Sequence, residues 1–260
     1  MVEGALDAAI KAAMAAGEIQ RERFDSTLEI KKKGVVDLVT DVDIACEERI
    51  REILGAAFPD LPVLGEEEGE LGGTSDEVRW IVDPIDGTTN FAHSIPIFCS
   101  VIALEEAGEI TAGVIYETMG DKLYTAIKGG GAFMNGEPIA VTSTEALVDS
   151  LLATGFPYDN RTNPRDIFGA FAATHKSCRG LRRFGSAAID LAYVACGIFD
   201  GFWEIGLKPW DMAAGALLVA EAGGVVSKID GSTFDHMQGE IVASNGPIHG
   251  DLLKVLSEYL

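Results

Sequence analysis

Apolar and polar positions change their period several times along the chain, and each change predicts an element. Residues Glu3 to about Phe24 are alanine-rich, with Leu6, Ile10, Ala13, Met14 and Gly17 at helical spacing. A basic turn, Lys31 to Gly34, precedes a strand over Val35 to Val39, and a second helix runs from Thr40 to about Phe58, before Pro59. Thr40 suits its N-cap, and Asp41 and Asp43 suit the positive end of the helix. Pro62 to Gly65 is a short apolar run into the acidic turn Glu66-Glu67-Glu68. Val78 to Val82 reads as a buried strand. Pro84 has no N–H to give a sheet ladder, so that strand is expected to stop at Asp83.

Four segments of β character follow: Phe98 to Leu104, Ile110 to Glu117, Lys122 to Ala126 and Ala132 to Met134. Tight glycine turns separate them, which predicts an antiparallel meander. A polar stretch, Thr142 to Ser150, then marks a boundary. Beyond it, strands at Leu151 to Gly155, Leu181 to Phe184, Phe199 to Glu204, Val225 to Ser227 and Ile241 to Ser244 are interspersed with helices. The helices are expected over about Asn163 to His175, Ser186 to Cys196, Pro209 to Ala222 and Pro247 to Tyr259. That alternation predicts a parallel or mixed α/β/α layer. The chain is therefore expected to divide into an α+β half with an antiparallel sheet, residues 1–145, and an α/β/α half, residues 146–260.

Composition narrows the function. The 260 residues suffice for a sizeable core, and 47% hydrophobic content with 30 glycines fits a turn-rich globular protein. A net charge of −21 argues against a nucleic-acid or anionic-membrane surface. The four cysteines lack CxxC spacing and the four histidines lack HExxH, which favours reduced thiols and disfavours a zinc hydrolase. With neither a signal-peptide pattern nor a run of transmembrane length, a cytoplasmic protein is expected.

The candidate chemistry centres on Asp83-Pro84-Ile85-Asp86-Gly87-Thr88-Thr89-Asn90. Two carboxylates three residues apart can share one cation or bridge two, and hard oxygen donors select Mg²⁺, Mn²⁺ or Ca²⁺. Gly87 permits a tight bend, after which the N–H groups and hydroxyls of Thr88 and Thr89 can cradle an anion. Carboxylates beside an anion cradle suggest a metal-bridged phosphate, although Asp-Pro and Asp-Gly alone are ordinary turn chemistry. Capping equally explains Asp43 and Asp211, the latter in Lys208-Pro209-Trp210-Asp211 at a helix start. Gly185-Ser186-Ala187 opens another helix whose N–H groups can hold an anion or a hydroxyl. Glu204 ends an apolar strand, where a buried acid needs a partner.

The segments DPIDGTTNF (Asp83 to Phe91) and WDMAAGALLVAEAGG (Trp210 to Gly224), with GEE at Gly65 to Glu67 and TxxD at Thr40 to Asp43, resemble the inositol monophosphatase family. These are Mg²⁺-dependent, lithium-sensitive phosphatases, and Arg182 to Asp211 resembles bacterial members in particular. The resemblance covers essentially the whole chain and implies a layered αβαβα fold with the metals between its two halves. It implies that Glu66, Asp83 and the Ile85 carbonyl hold a first ion, that Asp83, Asp86 and Asp211 hold a second, and that Glu66 helps hold a weaker third. Two to three Mg²⁺ per site follow, with Mn²⁺ or Ca²⁺ able to substitute in binding. Gly87 and Thr88 match backbone groups that grip phosphate, and Thr88 and Asp43 match the pair that orients and deprotonates the attacking water. Gly185, Ser186, Ala187 and Glu204 match positions that touch the alcohol. Glu67 and Glu68 are expected to be structural or solvent-facing.

The resemblance thus implies a phosphomonoesterase acting on myo-inositol 1-phosphate or a related polyol phosphate, assembled as a homodimer and without a direct nucleic-acid partner. Fructose-1,6-bisphosphatase and histidinol-phosphatase are the nearest enzymatic alternatives; a 3′-phosphoadenosine 5′-phosphate phosphatase usually has a longer chain. Bacterial members also serve as partners in transcription antitermination, for which Arg179, Arg182 and Arg183 are the local basic candidates. A non-catalytic calcium-binding protein is disfavoured because the acids lack EF-hand spacing.

Overall fold

The computed structural model describes residues 2–32 and 38–260. Part of the expected strand over 35–39, and of the basic turn over 31–34, lies outside the described residues. Helix α1 (Ala5–Arg23) buries Ala9, Ala12, Ala13 and Ala16 on one stripe. Small side chains let it lie close to its neighbours: a Cβ at Gly17 would sit 2.4 Å from the Tyr116 ring. Strands β1 (Ile30–Lys32) and β2 (Leu38–Thr40) form a two-stranded antiparallel ribbon. Helix α2 (Asp41–Ala57) starts from a capping box, in which Thr40 Oγ1 accepts from the N–H groups of Val42 and Asp43 and the Asp43 carboxylate accepts from Thr40 N–H.

The first half then lays down β3 (Val63–Gly65), β4 (Gly69–Leu71), β5 (Val78–Asp86), the short helix α3 (Thr88–Ala92) and the meander β6 (Cys99–Glu106), β7 (Glu109–Glu117), β8 (Lys122–Ile127), β9 (Gly131–Met134) and β10 (Glu137–Pro138). They form one eight-stranded sheet ordered β10-β9-β8-β7-β6-β5-β3-β4, antiparallel apart from the β3/β5 pair. The second half supplies β11 (Leu151–Thr154), α4 (Ile167–Ser177), β12 (Gly180–Arg182), α5 (Ala187–Ala195), β13 (Gly201–Ile205), α6 (Pro209–Glu221), β14 (Val225–Ser227), β15 (Glu240–Ser244) and α7 (His249–Leu256). Its sheet is mixed, ordered β12-β11-β13-β15-β14, with β11 parallel to both neighbours.

The layers alternate helix and sheet. Helices α1 and α2 cover one face of the large sheet, α5 and α6 pack between the two sheets, and α4 and α7 cover the outer face of the small sheet. This αβαβα order explains why the central strands are apolar without alternation. In β5, Trp80 and Val82 pack toward α1 and α2 while Ile81 packs into the middle layer. In β13, Phe202 joins the middle layer, and Trp203 and Ile205 join the outer one. Helix α6 is buried continuously from Met212 to Val219, as a helix between two sheets must be. Its Ala-Ala-Gly run matches the space: a Cβ at Gly113 of β7 would lie 3.0 Å from Ala214 Cα, and one at Gly215 would lie 2.5 Å from Leu191. Among the described residues, no helix is long and apolar enough to cross a membrane.

Several boundaries differ from the sequence reading. Strand β5 does not stop at Asp83 but continues through Pro84 to Asp86. Asp83 faces Val101 and Asp86 faces Cys99, so two residues of β5 oppose Ser100 alone, a bulge in which no ladder bond is asked of Pro84. Gln20 Nε2 donates to the Pro84 carbonyl at 2.7 Å and to Ser100 Oγ at 2.8 Å, fixing the bulge from behind. Helix α4 begins at Ile167, not Asn163: Asn163 Oδ1 accepts from Arg165 N–H in a turn, and Asp166 then caps Gly169 N–H. The last helix begins at His249, two residues after Pro247.

Candidate active site

The bulge in β5 turns two carboxylates toward the other half of the molecule. Asp83 Oδ1 accepts from Ile85 N–H at 2.9 Å, a contact inside the bulge itself. Asp86 Oδ2 accepts from Ser186 Oγ and from Ala188 N–H, each at 2.7 Å. The N-terminus of α5, read from sequence as open to an anion or hydroxyl, therefore receives this protein carboxylate. Asp211, third residue of α6, accepts from Lys208 N–H at 2.7 Å, so it caps the helix and faces the site at once. Asp83, Asp86 and Asp211 each present a carboxylate oxygen, all within 4.8 Å of one another.

Asp43 and Thr88 meet beside this cluster. Thr88 Oγ1 lies 3.0 Å from Asp43 Oδ1 and 3.0 Å from the Ile85 carbonyl oxygen. The other Asp43 oxygen is held by Thr40, so the capping box fixes the carboxylate that Thr88 contacts. Gly87 precedes Thr88 at φ 102°, where a Cβ would also crowd Ile97 O at 3.0 Å, so the bend depends on glycine. Asn90 Nδ2 donates to both Ile97 O and Phe184 O at 2.8 Å, tying this turn to the segment that enters Gly185 and Ser186.

A cavity of about 280 Å³ opens over these groups. Glu66, Asp83, Asp86, Thr88, Asp211 and Glu204 all line it, with Ile85, Gly87, Gly185, Ser186 and Ala187 in the same wall. Of the sequence candidates, Asp43 alone stands behind the lining, reaching it through Thr88. Glu204 lies against Gly155, where a Cβ would come within about 2.2 Å of its carboxylate.

The electrostatics are those of a crowded, buried acid cluster. Burial, followed by the charges of Glu66, Asp86, Asp211 and Asp43, raises Asp83 well above the ordinary carboxylate range. Burial raises Asp86 to about 6, opposed by hydrogen bonds from Ser186 and the Ala188 and Ala187 amides. Asp211 is raised well above its usual value, by burial first and Asp86 next. Burial lifts Glu204 to about 8 against the pull of Arg183. Groups so placed either keep protons or are neutralised by a bound cation. The donors are all hard oxygens, so the cluster could bind a divalent metal of the Mg²⁺, Mn²⁺ or Ca²⁺ kind. Buried Cys99 lies near Asp86, but burial pushes its thiol well up, unlike an activated nucleophile.

The family model for the inositol monophosphatase family matches residues 1–260. The chain belongs to that family. It is 44% identical over 257 residues to an inositol-1-monophosphatase of Mesorhizobium japonicum, covering 98% of this chain and 97% of that protein. It is 41% identical over 242 residues to Nus factor SuhB of Escherichia coli K12, covering 92% and 91%. The crystal structure of extragenic suppressor protein suhB from Bartonella henselae superposes with a TM-score of 0.94 at 39% identity, covering 99% of this chain and all of that one. As a member of the inositol monophosphatase family the protein is a phosphatase.

This family member also carries supporting residues that the sequence reading missed. Glu47 of α2 is buried; its Oε2 accepts from Glu67 N–H at 2.8 Å, and its Oε1 accepts from Glu68 N–H at 3.1 Å and Arg51 Nη2 at 2.8 Å. Arg51 in turn donates to Val63 O and Gly69 O, so the pair grips both strands of the β3–β4 hairpin that carries Glu66. Gly65 leaves room for it, since a Cβ there would lie 2.5 Å from the Glu47 carboxyl. An i,i+4 Glu–Arg pair ordinarily reads as an exposed helix face, and nothing local in the sequence sets this one apart. Glu47→Gln should raise the divalent-cation concentration for half-saturation roughly tenfold to a hundredfold, as supports of metal ligands generally do. Calorimetric titration would measure it, and an unchanged midpoint would dismiss the clamp.

Proposed function

We propose that the protein is a Mg²⁺-dependent phosphomonoesterase acting on myo-inositol 1-phosphate or a closely related polyol phosphate. The observation that carries this reading is the placing of Asp83, Asp86, Asp211 and Glu66 in one cavity with Glu204. In this reading Glu66, Asp83 and the Ile85 carbonyl hold one ion, Asp83, Asp86 and Asp211 hold a second, and Glu66 helps hold a weaker third. Bound Mg²⁺ supplies activation of water and neutralisation of charge at the phosphate. Thr88 Oγ1 orients the attacking water, and its proton passes toward the Thr88–Asp43 pair, whose hydrogen bond is already formed. The Gly87 and Thr88 backbone groups hold phosphate oxygens, and Gly185, Ser186, Ala187 and Glu204 meet the alcohol. Lithium sensitivity, a homodimeric state and a cytoplasmic setting accompany this reading.

Arg183 and Lys208 line the same cavity and could meet a second phosphate, which makes fructose 1,6-bisphosphate the second substrate to test. A Nus-factor role belongs to the SuhB relative by name. Of the basic candidates for such a surface, Arg179 is already paired with Asp149 at 3.0 Å.

Glu204 provides the test of the alcohol. Glu204→Ala should raise KM for myo-inositol 1-phosphate roughly tenfold, the loss of one or two hydrogen bonds to hydroxyls, with a much smaller change for phenyl phosphate. Equal shifts on both esters would defeat the polyol assignment.

A further inference from the structure

Helix α5 carries a second acid in the wall of the cavity. Asp190 lies one turn beyond Ser186, on the same face of the helix, since residues four apart superpose. It is 1% exposed, it lines the cavity, and its Oδ1 has no hydrogen-bond partner. Three other acids of this region are committed: Asp86 to Ser186 and Ala188, Asp211 to Lys208, Asp43 to Thr40 and Thr88. Trp80 Nε1, Trp203 Nε1 and Thr174 Oγ1 also lack partners, but they do not line the cavity. A buried carboxyl left without a partner destabilises the fold, so one that persists facing a cavity calls for a partner that arrives there. Burial and the charges of Glu204 and Asp86 favour its neutral form, with Arg183 opposing. A neutral carboxyl can both give and accept a hydrogen bond, which suits a hydroxyl.

We propose that Asp190 is a specificity-determining residue whose unpartnered carboxyl oxygen takes a hydroxyl of the substrate alcohol beside the hydroxyl met by Glu204. The inference rests on the polyol-phosphate reading and sharpens it: the favoured alcohol carries at least two hydroxyls close together. Sites that present buried polar groups to a hydroxyl discriminate strongly against analogues lacking it, because the group is then left unpaired.

The test compares kcat/KM for myo-inositol 1-phosphate with kcat/KM for phenyl phosphate in the unmutated protein, D190A and D190N, with Mg²⁺ present. The ratio of the two should fall roughly tenfold or more in D190A. In D190N, whose amide keeps the shape and the hydrogen-bonding capacity, most of that loss should be recovered. The melting temperature of D190A should stay within a few degrees of the parent, since Oδ1 holds no bond in the fold. A D190A ratio within about twofold of the parent overturns the assignment. So does a large fall in melting temperature, which would make Asp190 a structural residue. An unmutated protein that hydrolyses phenyl phosphate but not myo-inositol 1-phosphate overturns the polyol reading itself, and Asp190's role with it.

Discussion

Asp83→Asn is expected to lower kcat/KM at least roughly a thousandfold, or about 4 kcal/mol of transition-state stabilisation. Asp83 is the acid that the proposed arrangement shares between two ions, and it is buried with its neighbours' charges directed at it. Asparagine can keep the contact with Ile85 N–H, so the bulge should survive. What disappears is a charge and a shared donor oxygen, and divalent cations bind carboxylate far better than amide. The same change removes an acid that, without metal, must either keep its proton or repel its neighbours, so the metal-free variant should melt higher than the metal-free parent. Such opposed effects on activity and stability are characteristic of functional acids. Calorimetric titration with Mg²⁺, alongside melting in EDTA, measures both. A cation affinity within twofold of the parent would contradict the assignment.

A comparably large effect concerns pH and metal together. Folding raises the pKa of Asp83, Asp86, Asp211 and Glu204, so the metal-free folded protein retains protons that the unfolded chain has released. Its stability should therefore fall as pH rises out of the ordinary carboxylate range, through about 6 for Asp86 and about 8 for Glu204. The total loss amounts to roughly 1.4 kcal/mol per unit of raised pKa, summed over the groups. Metal binding runs the other way, because the ion displaces those protons and binds more tightly as pH rises. At a hundredfold excess over Kd the ion adds about 2.7 kcal/mol of stability. The gap in melting temperature between Mg²⁺ and EDTA should accordingly widen from pH 6 to pH 8, with protons released on titration. An equal gap at both pH values would show that the cluster acids are ionised without metal.

Local rules in the sequence carried much of this architecture. Thr40 caps α2 as expected, with Asp43 completing a capping box, and Asp211 caps α6 as Lys208-Pro209-Trp210-Asp211 implied. The glycine-punctuated meander folds as read because its turns are encoded within a few residues. What escaped the sequence depends on contacts between distant residues. The bulge that carries β5 past Pro84 exists because Ser100 and Gln20 take up its carbonyl. Ser186 and Ala188 seat Asp86 across 100 and 102 residues of chain, so the α5 N-terminus looked open when it is filled from within. Glu47 and Arg51 carry no local signal of their role, because the groups they bind lie on the β3–β4 hairpin. Asp190 falls in the register of an apolar helix, and only the position of the cavity distinguishes it from the helix residues around it.

The central claim is metal-dependent hydrolysis of a polyol phosphate, and phosphate release tests it most directly. The substrates are myo-inositol 1-phosphate, fructose 1,6-bisphosphate, histidinol phosphate and 3′-phosphoadenosine 5′-phosphate, each assayed with Mg²⁺ and with EDTA. The account predicts turnover that is fastest on myo-inositol 1-phosphate and abolished by EDTA. Undiminished rates in EDTA, or no turnover of any of the four by protein that binds Mg²⁺, would contradict it.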